Sequence, residues 1–177
     1  FLIHLLSRQH LSVLITAKAL SFPLISMYAR KTGQIPVIPG QGSNALEKAR
    51  TLLDAGSSVG IFPEGRLSPQ KGGFHEPRSG AARLALSTGV PVIPVGIYLP
   101  REKALKISLK LRGKPITGYL YLRGPYSVTV GKPIYYEGNP NDWELVQVAS
   151  QNMMQWIRSL AYESEQRLYK MMPLTAK

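Results

Sequence analysis

The chain has 177 residues, 22 Lys and Arg against 10 Asp and Glu for a net charge of +12, and no cysteine. That length suits one domain able to bury roughly two-thirds of the surface its unfolded chain exposes. The missing cysteines exclude disulfides, thiolate metal sites and a thiol nucleophile, and with only His4, His10 and His75 to offer imidazole no metal is expected.

The chain opens in an apolar run. Residues 1–27, FLIHLLSRQHLSVLITAKALSFPLISM, are broken by Arg8, His10, Lys18 and Pro23. No uninterrupted stretch there approaches the ~20 residues needed to span a bilayer, and no basic lead precedes it as in a signal peptide. Membrane contact here is expected to be interfacial, and the start at Phe1 reads as a chain whose beginning lies upstream. His4 and His10 fall in this segment and read as packed or interfacial, not catalytic.

Strand and helix then alternate. SVLITA (12–17) and QIPVI (34–38) are short β-branched strands, and NALEKARTLLDAG follows as a helix. Asn44 with Glu47 forms a capping box, Leu46, Ala49, Leu52 and Leu53 form one stripe, and Gly56 stops it. SVGIF (58–62) is a buried strand, RSGAARLALSTG (78–89) a second helix stopped by Gly89, and VPVIPVGIYL (90–99) the next strand. This order predicts an α/β single domain: a mainly parallel central sheet with right-handed crossovers and helices on both faces. Ligands gather at the carboxyl ends of such strands. The loop PEGRLSPQKGGFHEPR sits at one of them and is longer than a plain connection needs.

Inside that loop, Gly60 and Gly65 have the spacing of a nucleotide-binding P-loop, but Arg66 and Leu67 stand where Lys and Ser or Thr would hold phosphate and magnesium. Pro63 also removes a backbone N–H from the cradle. As plain structure, FPEG is a good turn, with φ preset at Pro63 and positive φ available at Gly65. A turn alone leaves unexplained why Glu64, Arg66, Lys71 and Arg78 crowd it, and an arginine there suits bidentate capture of a phosphate. His75 lies in the same loop, with no carboxylate to pair with except the adjacent Glu76.

From residue 100 the character changes. Residues 101–132 hold eight basic side chains against Glu102 alone, a field that attracts a polyanion. KISLKL alternates strictly and reads as a half-exposed strand, with Lys106, Ser108 and Lys110 out and Ile107, Leu109 and Leu111 in. Its basic face would be available to lipid or to an acidic carrier. YLYLRG and SVTVGKPIYY follow as strands. The chain closes on a helix or helix pair, begun by Asn141 with Glu144 as a second capping box, with Trp143, Val146, Met153, Ile157 and Leu160 on a stripe. Nucleic-acid binding would interleave aromatics with Arg or Lys, and YLYLRGPY offers little of that, so no nucleic-acid partner is expected.

GIFPEGRLSP followed by GAARLALSTGVPVIPVGI resembles the third and fourth motifs of the glycerolipid acyltransferases, the 1-acylglycerol-3-phosphate acyltransferase family, whose pattern is F-P-E-G-T-R-S and then V-P-V-x-P-V. Phe62, Pro63, Glu64 and Gly65 match, as do Val90, Pro91, Val92, Pro94 and Val95, while Arg66 comes one position early. VLITAKALSFPLI resembles the family's lysine-before-helix segment and TGQIPVIPG its G-x-I-P-V-D-R-G block, so the likeness runs over residues 12–97. Two departures stand out. Ile38 and Pro39 replace the usual Asp and Arg, leaving Arg30 or Lys31 as open substitutes, and the catalytic H-x-x-x-x-D is absent, since Gln9, Ile15 and Gly80 lie five residues after His4, His10 and His75.

The resemblance implies transfer of an acyl group from acyl-CoA or acyl carrier protein to the hydroxyl of a lysophospholipid. It needs no cofactor beyond that co-substrate. It implies a membrane-associated protein at the cytoplasmic face, with an anionic membrane surface as partner. Residues 1–177 would then be an acyltransferase-like domain whose H-x-x-x-x-D lies upstream of Phe1. In this chain Lys18 and Arg66 would be phosphate ligands, with Arg78 beside them, Glu64 an acceptor for a substrate hydroxyl or an organiser of Arg66, and Phe62, Pro63 and Gly65 the turn that lets backbone approach the substrate. Pro94 reads as structural.

Overall fold

A computed structural model describes residues 11–17, 19–69, 72–111, 114–121 and 123–171. Strand β1 (Leu11–Thr16) lies between β2 (Ile35–Val37) and β3 (Ser58–Gly60), parallel to both, with Leu14 opposite Ile35 and Ser12 opposite Val59. Helix α1 (Pro23–Lys31) carries the chain from β1 to β2, and α2 (Gly42–Asp54) carries it back past β1 to β3. Because these two crossovers step in opposite directions along the sheet, right-handedness assigns the helices to opposite faces. This is the expected parallel α/β core.

Both ends of α2 follow from glycine, though not in the way the sequence suggested. The helix starts at Gly42, two residues before Asn44, and its N-cap Gln41 makes no side-chain cap bond. The Asn44–Glu47 capping box therefore does not form. The chain turns at Gly40, with φ of 81°, and the Gln41 N–H bonds to the Ile38 carbonyl, so Asn44 is already inside the first turn. At the other end Gly56, at φ 77°, stops the helix as its left-handed conformation allows.

Helix α3 (Gly80–Thr88) joins two parts of the core. Leu84 packs with Ile35, Ala45 and Ala49 under the parallel sheet, while Ala82, Ala85 and Leu86 pack against Val146, Ala149 and Met153 of the last helix. One apolar helix thus serves both sides, as expected of a run with small residues and leucines and no charge but Arg83.

The next strand, β4 (Val95–Tyr98), does not extend the parallel sheet. It pairs antiparallel with β7 (Ser127–Val130), Val95 opposite Val130. It is also shorter than residues 90–99, because Pro91 and Pro94 lack the N–H a ladder needs. Val92 keeps a single bridge to Ile134, and the Pro94 carbonyl accepts from the Gly131 N–H at 2.9 Å. Between them β5 (Leu105–Leu111) and β6 (Lys114–Leu120) form a separate antiparallel hairpin. Lys106 and Ser108 are exposed and Ile107 is half-buried, as the alternation predicted.

The closing segment is one helix, α4 (Trp143–Met171), with no Gly or Pro to break it. Its N-cap is Asp142, not Asn141: the Asp142 carboxylate accepts from the Leu145 N–H and its carbonyl from the Val146 N–H, so the second proposed capping box also fails. Asn141 instead bonds back to Asn139. Val146, Met153 and Leu160 are buried on the expected stripe, Ile157 is half-buried, and Trp143 is 58 % exposed, off the stripe. The helix lies so close to β4 that a Cβ on Gly96 would fall into the backbone of Leu160 and Ala161. Buried Ser164 binds there to the Gly96 carbonyl at 3.0 Å and to Thr129 Oγ1 at 2.7 Å. Among the described residues no helix is long and apolar enough to cross a membrane.

Candidate functional site

The loop between β3 and α3 leaves the carboxyl end of the parallel sheet and returns on itself. Its neck is closed by the Arg78 N–H, which donates to the Pro63 carbonyl at 2.8 Å. Its first turn is closed by the Gly65 N–H on the Phe62 carbonyl at 3.0 Å. Pro63 presets the turn and Gly65 takes φ of 62°, the left-handed value the sequence anticipated.

Glu64 is the centre of this loop. Glu64 is 8 % exposed, yet both carboxylate oxygens are partnered: Oε1 accepts from the Ser68 hydroxyl and Oε2 from the His75 N–H, each at 2.7 Å. A buried carboxylate needs such donors, and bonds to an ionised acceptor are the strong kind. Neither oxygen bonds to Arg66. The geometry therefore gives Glu64 to its own loop, spanning from the turn to a backbone eleven residues on. Ser68 and the His75 amide are the site groups that sequence reasoning missed. Ser68, four residues after Glu64, was within reach of a local search, but the His75 amide required the folded loop.

Arg78 lies across the turn. A Cβ on Gly65 would stand 2.6 Å from Arg78 Cδ and 2.7 Å from Nε, so any larger residue there would displace that side chain as well as strain a backbone at φ of 62°. Arg66 follows directly and is exposed. Among the described residues neither guanidinium has a hydrogen bond or ion pair. The structure thus brings Phe62, Pro63, Glu64, Gly65, Arg66 and Arg78 together, with Phe62 57 % exposed on the rim. Lys18 and Lys71 lie outside the described residues, as do His4 and His10.

The remaining candidates fall away from the turn. Arg30 and Lys31 end α1, where the chain heads into the amino end of β2, so the topology puts them at the opposite end of the sheet from the loop. Arg30 bonds to Ser26 within its own helix at 3.2 Å. The side chain of Glu76 serves Gln151 at 2.8 Å and Arg158 at 3.7 Å, fastening the loop to α4. Ile38 and Pro39 follow β2 at the carboxyl end, with Ile38 45 % exposed where the resemblance expects a charged pair.

No curated protein matches the chain. Among solved structures, the crystal structure of the 1-acyl-sn-glycerophosphate (LPA) acyltransferase PlsC from Thermotoga maritima superposes with a TM-score of 0.56 at 19% identity, over 88% of this chain and 56% of that one. That likeness is one of fold, and the chain spans little more than half the length of that protein. A family model described as Acyltransferase matches residues 1–98, more than half of the 177 and including the whole loop from Phe62 to Arg78. The chain therefore belongs to the acyltransferase family.

Proposed function

We propose that the protein transfers a fatty acyl group from an acyl thioester, acyl-CoA or acyl carrier protein, to the free hydroxyl of a lysophospholipid such as 1-acylglycerol-3-phosphate. The hydroxyl oxygen attacks the thioester carbonyl, the C–S bond breaks, and the thiol leaves with the proton. The observation that carries this reading is the loop itself, a hydrogen-bonded turn at the carboxyl end of a parallel sheet with two guanidinium groups that have no partner among the described residues. Arg66 and Arg78 are the phosphate grip in this reading, suited by planar, bidentate donors, with Lys18 a third cation. In this reading Arg78 would supply the cation that the family pattern carries where this chain has Pro39. Glu64 acts as a positioning residue through Ser68 and His75. The acceptor is a membrane lipid, so the protein works at a membrane surface, at the cytoplasmic face.

The hydroxyl proton needs a base, and a histidine oriented by an aspartate supplies one. No histidine of this sequence has an aspartate five residues on, so the reading puts that pair before Phe1. The same observation favours a second reading, a catalytically inactive acyltransferase-like domain that binds phospholipid or another polyanion. The protein with its natural N-terminal sequence separates the two. Thiol release from acyl-CoA or acyl carrier protein that depends on added 1-acylglycerol-3-phosphate supports transfer. Lysolipid binding without thiol release from either donor supports the inactive domain and refutes transfer.

A further inference from the structure

The loop carries two carboxylates whose partners lie in different places. Glu64 bonds to Ser68 and to the His75 N–H, and so ties the loop to itself. Glu76 reaches another element: Gln151 Nε2 donates to its Oε2 at 2.8 Å, and Arg158 Nη2 lies 3.7 Å from its Oε1. Gln151 and Arg158 are two turns apart on α4, hence on one side of that helix, and each meets one oxygen of the same carboxylate.

The return limb of the loop is thus held at three successive points. His75 is held through its N–H by Glu64, Arg78 through its N–H by the Pro63 carbonyl, and Glu76 between them by α4. The first and last bonds close the loop on itself. The middle one fixes the limb against a different layer of the fold, because α4 is seated on β4, where Gly96 admits Leu160 and Ala161 and Ser164 binds the Gly96 carbonyl. Pro77, whose ring fixes φ, links Glu76 to Arg78 and passes that placement on.

We propose that Glu76 is a positioning residue for the acceptor: fastened to Gln151, it sets where the Arg78 guanidinium stands over Gly65, and with it the affinity for the acceptor's phosphate. This rests on the acyl-transfer reading, in which Arg78 grips that phosphate. Glu76 touches no substrate. The helix that holds it lies beyond residues 1–98, so this support comes from the part of the chain outside the family match. Its two partners do not count equally. The Glu76 side chain is 74 % exposed and the Arg158 pair is long, and such screened pairs contribute little, so the 2.8 Å bond from Gln151 carries the fastening. Glutamine at position 76 keeps an oxygen to accept that bond, whereas alanine loses it.

The test compares Glu76→Ala, Gln151→Ala, the double variant and Glu76→Gln in the protein with its natural N-terminal sequence. Two quantities are read: amide exchange at His75 and Arg78 by NMR without lipid, and the KM for 1-acylglycerol-3-phosphate. Each alanine variant is expected to speed both amides and to raise the acceptor KM by about three- to tenfold, with kcat, donor KM and unfolding midpoint as in the parent. Glu76→Gln should restore the parent values. The double variant should be no worse than either single one, since all three break the same bond. An unchanged exchange rate or acceptor KM in Glu76→Ala overturns the proposal, as do an equal rise in donor KM, a Glu76→Gln as damaging as the alanine, or additive losses in the double variant. If the parent transfers no acyl group, the dissociation constant for 1-acylglycerol-3-phosphate replaces KM. Exchange and lysolipid binding that shift together without transfer keep the positioning role and remove the enzymatic reading. Transfer that is indifferent to Glu76→Ala does the reverse, and a parent that neither transfers nor binds removes both.

Discussion

Replacing Glu64 with glutamine tests whether this carboxylate holds the loop. The side chain keeps its size but loses its charge, and one of its two oxygens becomes an NH2 group. That group is a donor and faces another donor, either the Ser68 hydroxyl or the His75 N–H, both now at 2.7 Å. Since Glu64 is only 8 % exposed, water cannot readily take over the lost bond. A hydrogen bond to a charged group contributes about 1.5–3 kcal/mol, and the penalty falls on the opening of the loop, not on the distant core. The His75 amide should then exchange with solvent about 10- to 150-fold faster in the native protein, at about 1.4 kcal/mol per tenfold. Amide exchange read by NMR measures this directly, with the Leu84 and Val146 amides as internal references that should barely move. Glu64→Ala should do at least as much. An unchanged His75 exchange rate would show that the carboxylate does not hold this loop, and a uniform acceleration at every amide would show that it acts on global stability alone.

Three further outcomes follow from the packing. Arg66→Ala, in the protein with its natural N-terminus, should raise the acceptor KM strongly and leave the donor KM nearly unchanged; equal effects on both would remove its role as a phosphate ligand. Gly96→Ala puts a methyl group into the backbone of Leu160 and Ala161, so α4 must move off β4. Overpacking of that kind costs roughly 1–3 kcal/mol or more, read as a fall of about 2–12 °C in Tm, and an unchanged melt would contradict the contact. The Tyr98 hydroxyl lies 2.8 Å from that of Tyr169, and its pKa is raised, first by burial and then by that hydrogen bond and nearby charge. A raised pKa means its contribution is complete below the unfolded value of about 10 and is lost as pH rises beyond it. Tyr98→Phe should therefore flatten the alkaline limb of a stability-versus-pH curve, and parallel limbs in the two proteins would refute this.

Much of the molecule was legible locally. Periodicity placed β1, α2, α3 and α4 within a few residues, and FPEG could be read as a turn because Pro63 and Gly65 each impose a backbone angle whatever surrounds them. The motif blocks from Phe62 to Val95 pointed to the family that the model match over residues 1–98 then showed. The caps were misread for a local reason of another kind. Asn44 and Asn141 each had a glutamate three residues on, but helix starts depend on where the preceding chain turns, at Gly40 and at Asp142. The pairing of β4 with β7 rather than with the parallel sheet was not written in either strand, since a short apolar run accepts a neighbour of either direction. The proximity of α4 decided it, through Gly96 and Ser164. The site divides in the same way: Glu64, Arg66 and Arg78 announced themselves by their chemistry. That Glu64 turns to the His75 amide, and that Arg78 occupies the space above Gly65, required the loop to close, because both are contacts between residues more than ten apart.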